Sequence, residues 1–324
     1  MDRGQRRGGP PPAPKPYGFV EIAPLGRDDR ERPAGHDRYL DGHLSGVIEA
    51  TLIVATPVHV GSGGLRMTEN LHIPLARSMT RVRGRPAVPA STLKGMVRST
   101  VETISRSCVR VTRARRDQLP KGAAPCQDPE NLCVACRMFG SLGYQGLVRF
   151  SDAVLGEGQK LAIVRMPSLY APRSRTGVYY GPDDQVKGRK VYRHGRTVTD
   201  ANTPVEVLRP ESALTLQVRF DNLTQGEVGL LLTGMGLGEP ALILKVGGGK
   251  PACYGSVMAR LDGLRVWGDA GRLYGDYDVK PDSVEPSVFL AAAREGNLIL
   301  QRQLEQLAQW LVYDMSRECP SGVY

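Results

Sequence analysis

No stretch of this 324-residue chain is a long unbroken apolar run. The most apolar window, Val228 to Val246, is interrupted by Glu239, Pro240 and several glycines, which makes it a poor membrane span. The chain opens on polar, basic and proline-rich residues where a secretory signal would have an apolar segment. These two absences lead to the expectation of a cytoplasmic protein with no membrane partner. In that compartment the six cysteines read as thiols or metal ligands rather than as disulfides. No Ser-His-Asp or paired-carboxylate pattern stands out, so acid–base chemistry is hard to place. Acids are also nearly missing from one long window: between Arg77 and Arg116, ten arginines and one lysine face only Glu102.

That window carries a charge equal to the net charge of the whole protein, +10. A second basic window, Arg165 to Arg196, sets eight basic residues against Asp183 and Asp184 and interleaves them with Tyr170, Tyr179, Tyr180 and Tyr192. Cations that track phosphates and rings that stack on bases suit a single-stranded nucleic acid. A merely solvated basic face is the alternative. Hydrophobic residues make up 41% of the chain, so neither a metal nor a disulfide is needed simply to make it fold. The length allows two domains, or one enlarged by insertions.

Residues 1–16 cannot bury an apolar face and read as a mobile basic, proline-rich tail. An N-terminal extension covers 17–45, the core 46–262, and a helical extension 263–324. Val47 to Val60 is β-rich and runs into a glycine turn at Gly61, Gly63 and Gly64. Pro89 and Ser91 then mark a helix start, with Ser91 as N-cap. Leu93, Met96, Val97, Val101 and Ile104 form one apolar stripe at helical spacing. Lys94 and Arg98, four apart, project together on the side away from it, and the first-turn amides beside Ser91 and Thr92 favour an anion. Gly146–Leu155 and Leu161–Met166 read as strands. Leu214, Leu216, Val218 and Phe220 alternate with polar residues as a half-buried strand. Thr224 and Glu227 fit a capping box for a second helix. Ala241–Val246 and Tyr254–Leu261 read as further strands, and Pro286 to Arg317 as a last helical region.

This order suits an α+β, ferredoxin-like sheet with helices on one face, the layout of RRM-like modules. Ser174 to Thr203 has no apolar period and reads as a long insertion or hairpin.

Cys108, Cys126, Cys133 and Cys136 are spaced C-x17-C-x6-C-x2-C between a helix and a strand. Four thiolates could close a tetrahedral zinc site in a loop too polar to order itself. Cys126, Cys133 and Cys136 supply three ligands. Cys108 competes with His36, His43, His59, His72 and His194 for the fourth place. Unmetallated thiols are the alternative, and a redox pair is disfavoured because no helix signal follows Cys133. Cys253 and Cys319 read as packed or surface thiols.

Gly247, Gly248 and Gly249 with Lys250 could bring backbone amides and a charge to a phosphate. The loop is not a Walker A motif, since Leu244 stands where a glycine is required and Pro251 where Ser or Thr is required. A plain hairpin turn is the bland reading. Glu69, Asn70 and His72 lie in a loop near abundant positive charge and could assist attack of a ribose 2′-hydroxyl, though such residues are more often loop polar groups.

Taken in order, "TPVHVGSGG", "VPASTLKGMVRS", "CVACRMFGS…GLVRFSDA", "GRKVYRH", "FDNLTQGEVGLLL" and "KVGGGKPACYGSV" resemble the signatures of the RAMP superfamily. Its members build the backbone of type III CRISPR effector complexes, which act in antiviral defence. The resemblance implies a ferredoxin-like palm, a zinc-bearing insertion (108–145) and a protruding thumb hairpin (165–205). It implies guide RNA (crRNA), target RNA, other RAMP-type subunits and the large effector subunit as partners. Carried over by motif, Ser91, Thr92, Lys94 and Arg98 would hold guide phosphates, as would Gly247 to Lys250 from the other edge of the palm. Tyr179, Tyr180, Arg189 and Lys190 would belong to the thumb or its base. Cleaving members carry an aspartate before the basic helix, whereas here Glu69 is the only acid between Gly61 and Ser91. The expectation is a subunit that binds without cutting. The alternatives are a metal-independent endoribonuclease using Glu69 or His72, and a zinc-stabilised nucleic-acid-binding protein outside CRISPR.

Overall fold

The computed structural model describes residues 15–169, 178–199, 201–276, 278–282 and 284–320. The tail up to residue 14 and Tyr170 lie outside these. In chain order the first elements are β1 (Tyr17–Val20), β2 (Leu44–Val54), β3 (Gly61–Met67), β4 (Leu75–Met79), β5 (Arg85–Val88), α1 (Ala90–Ile104) and α2 (Val134–Phe139). Then come β6 (Val148–Phe150), β7 (Ala153–Leu155), β8 (Ala162–Met166), β9 (Arg189–Tyr192), β10 (Thr203–Val207) and β11 (Ala213–Leu223). The last are α3 (Gln225–Gly234), β12 (Leu244–Lys245), β13 (Ser256–Trp267), α4 (Pro286–Glu295) and α5 (Gln301–Trp310).

The fold is mixed α+β. Its main sheet is antiparallel, in the order β12-β13-β2-β11-β7-β5, with β6 also paired to β11. Alternation does on β11 what the sequence predicts: Leu214, Leu216, Val218 and Phe220 are buried while Thr215 and Arg219 face solvent. Leu216 sits opposite Ala50 and Val218 opposite Ile48, so the two central strands bury the same face. A smaller sheet, β8-β10-β4-β3, stands beside it, and β1 pairs with β9.

On α1 the predicted stripe of Leu93, Val97, Val101 and Ile104 is buried, each side chain contributing about 1.5–3 kcal/mol by leaving water. Its start differs from expectation. Pro89 occupies the N-cap position, and Ser91 makes no cap. Instead the Asp152 carboxylate accepts a hydrogen bond from the Ala90 amide at 2.7 Å. The same residue breaks the strand expected over Gly146–Leu155 into β6 and β7, because Asp152 must turn out to reach α1.

The Thr224–Glu227 capping box of α3 forms as expected. This helix is buried nearly all round, between α1 and α4. Gly229 and Gly234 permit that, since a Cβ would come within 1.9 Å of the Phe289 carbonyl oxygen at the first and 2.5 Å of Val101 at the second.

Three further expectations need correction. The glycines of Gly61–Gly64 form strand β3 rather than a turn. An edge strand tolerates them, with its register to β4 slipping between Gly61 and Leu65. The last helical region is two helices, broken where Asn297 takes a φ of 52°. Cys253 and Cys319 are joined in a disulfide, so they are not free thiols. Only the folded backbone brings together two residues 66 apart in sequence.

Candidate metal centre and nucleic-acid interface

Cys108 follows α1, Cys133 and Cys136 flank the first turn of α2, and Cys126 lies in the loop between. Their four sulfurs are buried and lie within 4.8 Å of one another. Cys108 Sγ and Cys136 Sγ are 3.5 Å apart, near the ~3.8 Å edge of a tetrahedron built from Zn–S bonds of about 2.3 Å. The donor set therefore fits a metal ion of zinc's size and softness. Cys108 is the fourth member, and no histidine belongs to the group. Helix α2 does follow Cys133, contrary to expectation, yet it delivers a four-sulfur cluster rather than an isolated pair.

The electrostatics of the cluster point the same way. Hydrogen bonding to the Cys126 sulfur pushes the Cys108 thiol well above its ordinary range, and the same bond pulls Cys126 well below it. Crowded sulfurs thus share protons that a divalent cation would replace. The sulfurs also accept N–H groups: Cys108 N to Cys133 Sγ at 3.4 Å, Cys133 N to Cys126 Sγ at 3.5 Å, and Arg98 Nη2 to Cys136 Sγ at 3.2 Å.

Arg98 is therefore not a free surface cation. Its Nε donates to Glu102 at 2.8 Å and its Nη1 to the Gly140 carbonyl at 2.7 Å. Glu102 also pairs with Arg189 at 2.7 Å, and Arg189 donates to the Cys108 carbonyl at 2.8 Å. Glu102, at 5% side-chain exposure, is thus the buried counter-charge of two arginines that grip the cysteine loop. Replacing Glu102 by alanine would leave both guanidiniums buried without that anion. A loss of about 3–5 kcal/mol is expected in denaturant unfolding, and a loss below about 1 kcal/mol would refute the assignment.

Lys94 is likewise drawn inward, its Nζ donating to the Val148 carbonyl at 2.8 Å, and burial holds its pKa below the usual lysine range. The side of α1 onto which Lys94 and Arg98 project is covered by the insertion and β6.

The opposite flank of α1 is open. Thr92, Gly95 and Ser99 there face the glycine loop (Gly247, Lys250), Lys245 of β12 and Lys190 of β9 across a cleft of about 370 Å³. Leu307 of α5 and Leu311 just after it also line the cleft. Among the described residues no acid lines it. The loop keeps its shape through positive φ at Gly247 (76°) and Gly249 (72°). The Gly248 amide donates to the His59 carbonyl at 2.8 Å, and a Cβ on Gly247 would sit 2.3 Å from that oxygen. Ser91 is exposed at the start of α1, and Gly248 is exposed at the loop tip.

Next to the cleft, sharing Lys190 and Tyr192 with it, is a recess of about 290 Å³ lined also by Phe19, Arg113, Tyr179 and Tyr180. Tyr179 stacks on Tyr17 with centroids 6.2 Å apart. The Lys190 ammonium lies 3.8 Å from the Tyr17 ring centre and 4.8 Å from that of Tyr192. Glu69 and His72 sit elsewhere, exposed in the connection between β3 and β4.

Sequence reasoning missed Asp152, Lys245 and Ser99. Only Lys245 left a signal, as a lysine inside an otherwise apolar strand.

With this geometry in view, the chain matches the RAMP superfamily over residues 51–257, and it belongs to that superfamily. Membership suggests a CRISPR-associated role in binding or processing RNA. No curated protein matches the chain. Among the described residues no helix is long and apolar enough to cross a membrane.

Proposed function

We propose that the protein is a guide-RNA-binding backbone subunit of a type III CRISPR ribonucleoprotein, acting in the cytoplasm, and that it positions guide and target RNA without cutting. The observation that carries this reading is the lysine-lined, acid-free cleft between α1 and the glycine loop, beside an aromatic recess. Phosphates would sit in the cleft against Thr92, Gly247–Gly249, Lys250 and Lys190, with Ser91 at its rim. Bases would turn toward Tyr179 and Tyr180. Lys94, Arg98 and Arg189 would act by holding α1 and β9 rather than by touching RNA.

Several features support the finer parts of the proposal. The order β13-β2-β11 followed by β6 and β7, with α1 and α3 as crossovers, supports the reading of a ferredoxin-like palm. The four-cysteine group would hold a structural zinc ion that closes the insertion onto α1. The segment 165–205 would serve as the thumb or its base, and β8 and β10 at its two ends join the smaller sheet. The outer hairpin of that sheet exposes Leu65 (67%), Met67 (81%) and Leu71 (94%), an apolar surface suited to a neighbouring RAMP-type subunit.

The deciding experiment is co-expression with the neighbouring genes and a repeat-spacer array, followed by sequencing of the RNA that copurifies. Uniform RNAs with a repeat-derived 5′ end are expected. Heterogeneous RNA, or none, would sink the reading. Glu69 and His72 carry exposed side chains with no partner to align them among the described residues. Glu69→Ala and His72→Ala are accordingly expected to leave target-RNA cleavage by the assembled complex unchanged, and a large loss of rate would restore the endoribonuclease alternative.

A further inference from the structure

Three ammonium groups, those of Lys190, Lys245 and Lys250, border one cleft whose lining contains no carboxylate. Lys245 is buried at 8% exposure, and its Nζ donates to the Cys253 carbonyl, the Tyr254 carbonyl and Ser256 Oγ, each at 3.1 Å. All three acceptors are neutral. Behind Ser256 stands His194, fully buried, with Nδ1 2.8 Å from Ser256 Oγ and Nε2 3.0 Å from the Ile243 carbonyl. A carbonyl can only accept, so Nε2 carries the proton and Nδ1 takes the serine hydroxyl. Burial, reinforced by Lys245, holds the His194 pKa at about 3, so this ring adds no charge at neutral pH.

The elements packed around the cleft line it with neutral groups. From α1 it meets Thr92 and Ser99, and from α5 and just after it Leu307 and Leu311. Glu102 is already held by Arg98 and Arg189. Among the described residues the further charges acting on these groups are Lys15 upon Lys190 and Arg317 upon His194, both positive, and the titratable groups facing Lys190 are Tyr17, Tyr179 and Tyr192.

Taking an ammonium out of water eases the loss of its proton. Burial, and then Lys250, lowers Lys245 to about 7. Burial, and then Lys15, lowers Lys190 to about 8, while burial alone lowers Lys250. Before RNA arrives, Lys190 and Lys250 therefore hold their protons less firmly than surface lysines do, while the three acceptors around Lys245 oppose the loss of its own.

We propose that the cleft is a proton-coupled phosphate site, in which an arriving RNA phosphate draws protons from solvent onto the lysines that receive it. This rests on the RNA-binding reading and extends it. An anion within about 4–6 Å favours the charged form of a lysine, so the bound state holds more protons than the free state. Linkage then fixes the sign: affinity falls as pH rises through the free-state values. Ordinary surface lysines, titrating near 10.4, would leave binding almost flat from about pH 6 to 9.

The test is a calorimetric titration of single-stranded RNA into the full chain near pH 8, in two buffers of different ionisation enthalpy. About one proton should be taken up per strand, with affinity dropping up to ~10-fold per pH unit. In the double variant Lys190→Arg, Lys250→Arg, proton uptake per bound strand should be smaller and the pH profile of affinity flatter, because arginine stays charged when buried. Buffer-independent heats with intact binding would overturn the proton coupling and leave RNA binding standing. No RNA binding at any pH would overturn both.

Discussion

Replacing Cys136 with serine is expected to strip the protein of bound metal and lower its melting temperature by roughly ten degrees or more. Structural zinc contributes about 10–16 kcal/mol of apparent binding energy to the ordering of its ligands, comparable to the whole stability of a typical domain, about 5–15 kcal/mol. The insertion has little regular structure of its own. Residues 108–131 hold a short 3₁₀ turn at Arg116–Gln118, and apart from the cysteines their path depends on a few long-range hydrogen bonds such as Leu25 N to the Lys121 carbonyl and Val186 N to the Gln118 carbonyl. Damage would not stop there. Leu132, Val134, Met138 and Phe139 belong to the main hydrophobic cluster, so loosening α2 opens that core to water. Arg98 would also be deprived of its sulfur acceptor and α1 of part of its support. Metal analysis of the wild-type and variant proteins, with thermal unfolding of both, provides the check. A wild type with no metal and a variant with an unchanged midpoint would rule out the metal centre.

The second large effect concerns charge. Lys190→Glu combined with Lys250→Glu should weaken single-stranded RNA binding by about 100-fold or more near 0.1 M salt. It should also flatten the salt dependence by roughly 0.7 log units per log unit of salt for each phosphate that is no longer neutralised. Reversing two cations places carboxylates in a cleft whose lining has none. The repulsion acts through an interior that screens poorly. Lys94→Glu makes a useful contrast, because Lys94 faces the Val148 carbonyl on the other side of α1. Its cost should appear in stability before it appears in RNA affinity. Filter binding across a salt series, alongside unfolding curves, separates the two. Equal reductions of affinity in both variants would show that the cleft is not where the strand lies.

Features with a local physical cause could be read from the sequence. The stripe on α1, the alternation on β11 and the Thr224–Glu227 capping box depend on neighbours within a few residues. Three of the four grouped cysteines were readable as candidate ligands, because their spacing suits a metal ion that takes several sulfurs. Choosing Cys108 over five histidines was not possible, since closure of the fourth position depends on where α1 delivers its last turn. The partners of the two arginines were hidden for a related reason. Sequence states that Arg98 and Arg189 are charged but not which anion they meet. Glu102, conspicuous as the one acid in a basic window, turns both inward. The cap on α1 was missed because Asp152 comes 62 residues after Ala90.

Strand β3 forms the outer boundary of the smaller sheet and pairs on one side only among the described residues. Seven consecutive exposed residues, including Leu65 and Met67, are interrupted by a single charge, Arg66. An edge of this kind is a template for strand addition by another chain. A chain with this edge uncovered is exposed to stacking on other copies, edge against edge. Under the proposed assembly, producing the subunit together with a neighbour that caps β3 would serve solubility as well as assembly.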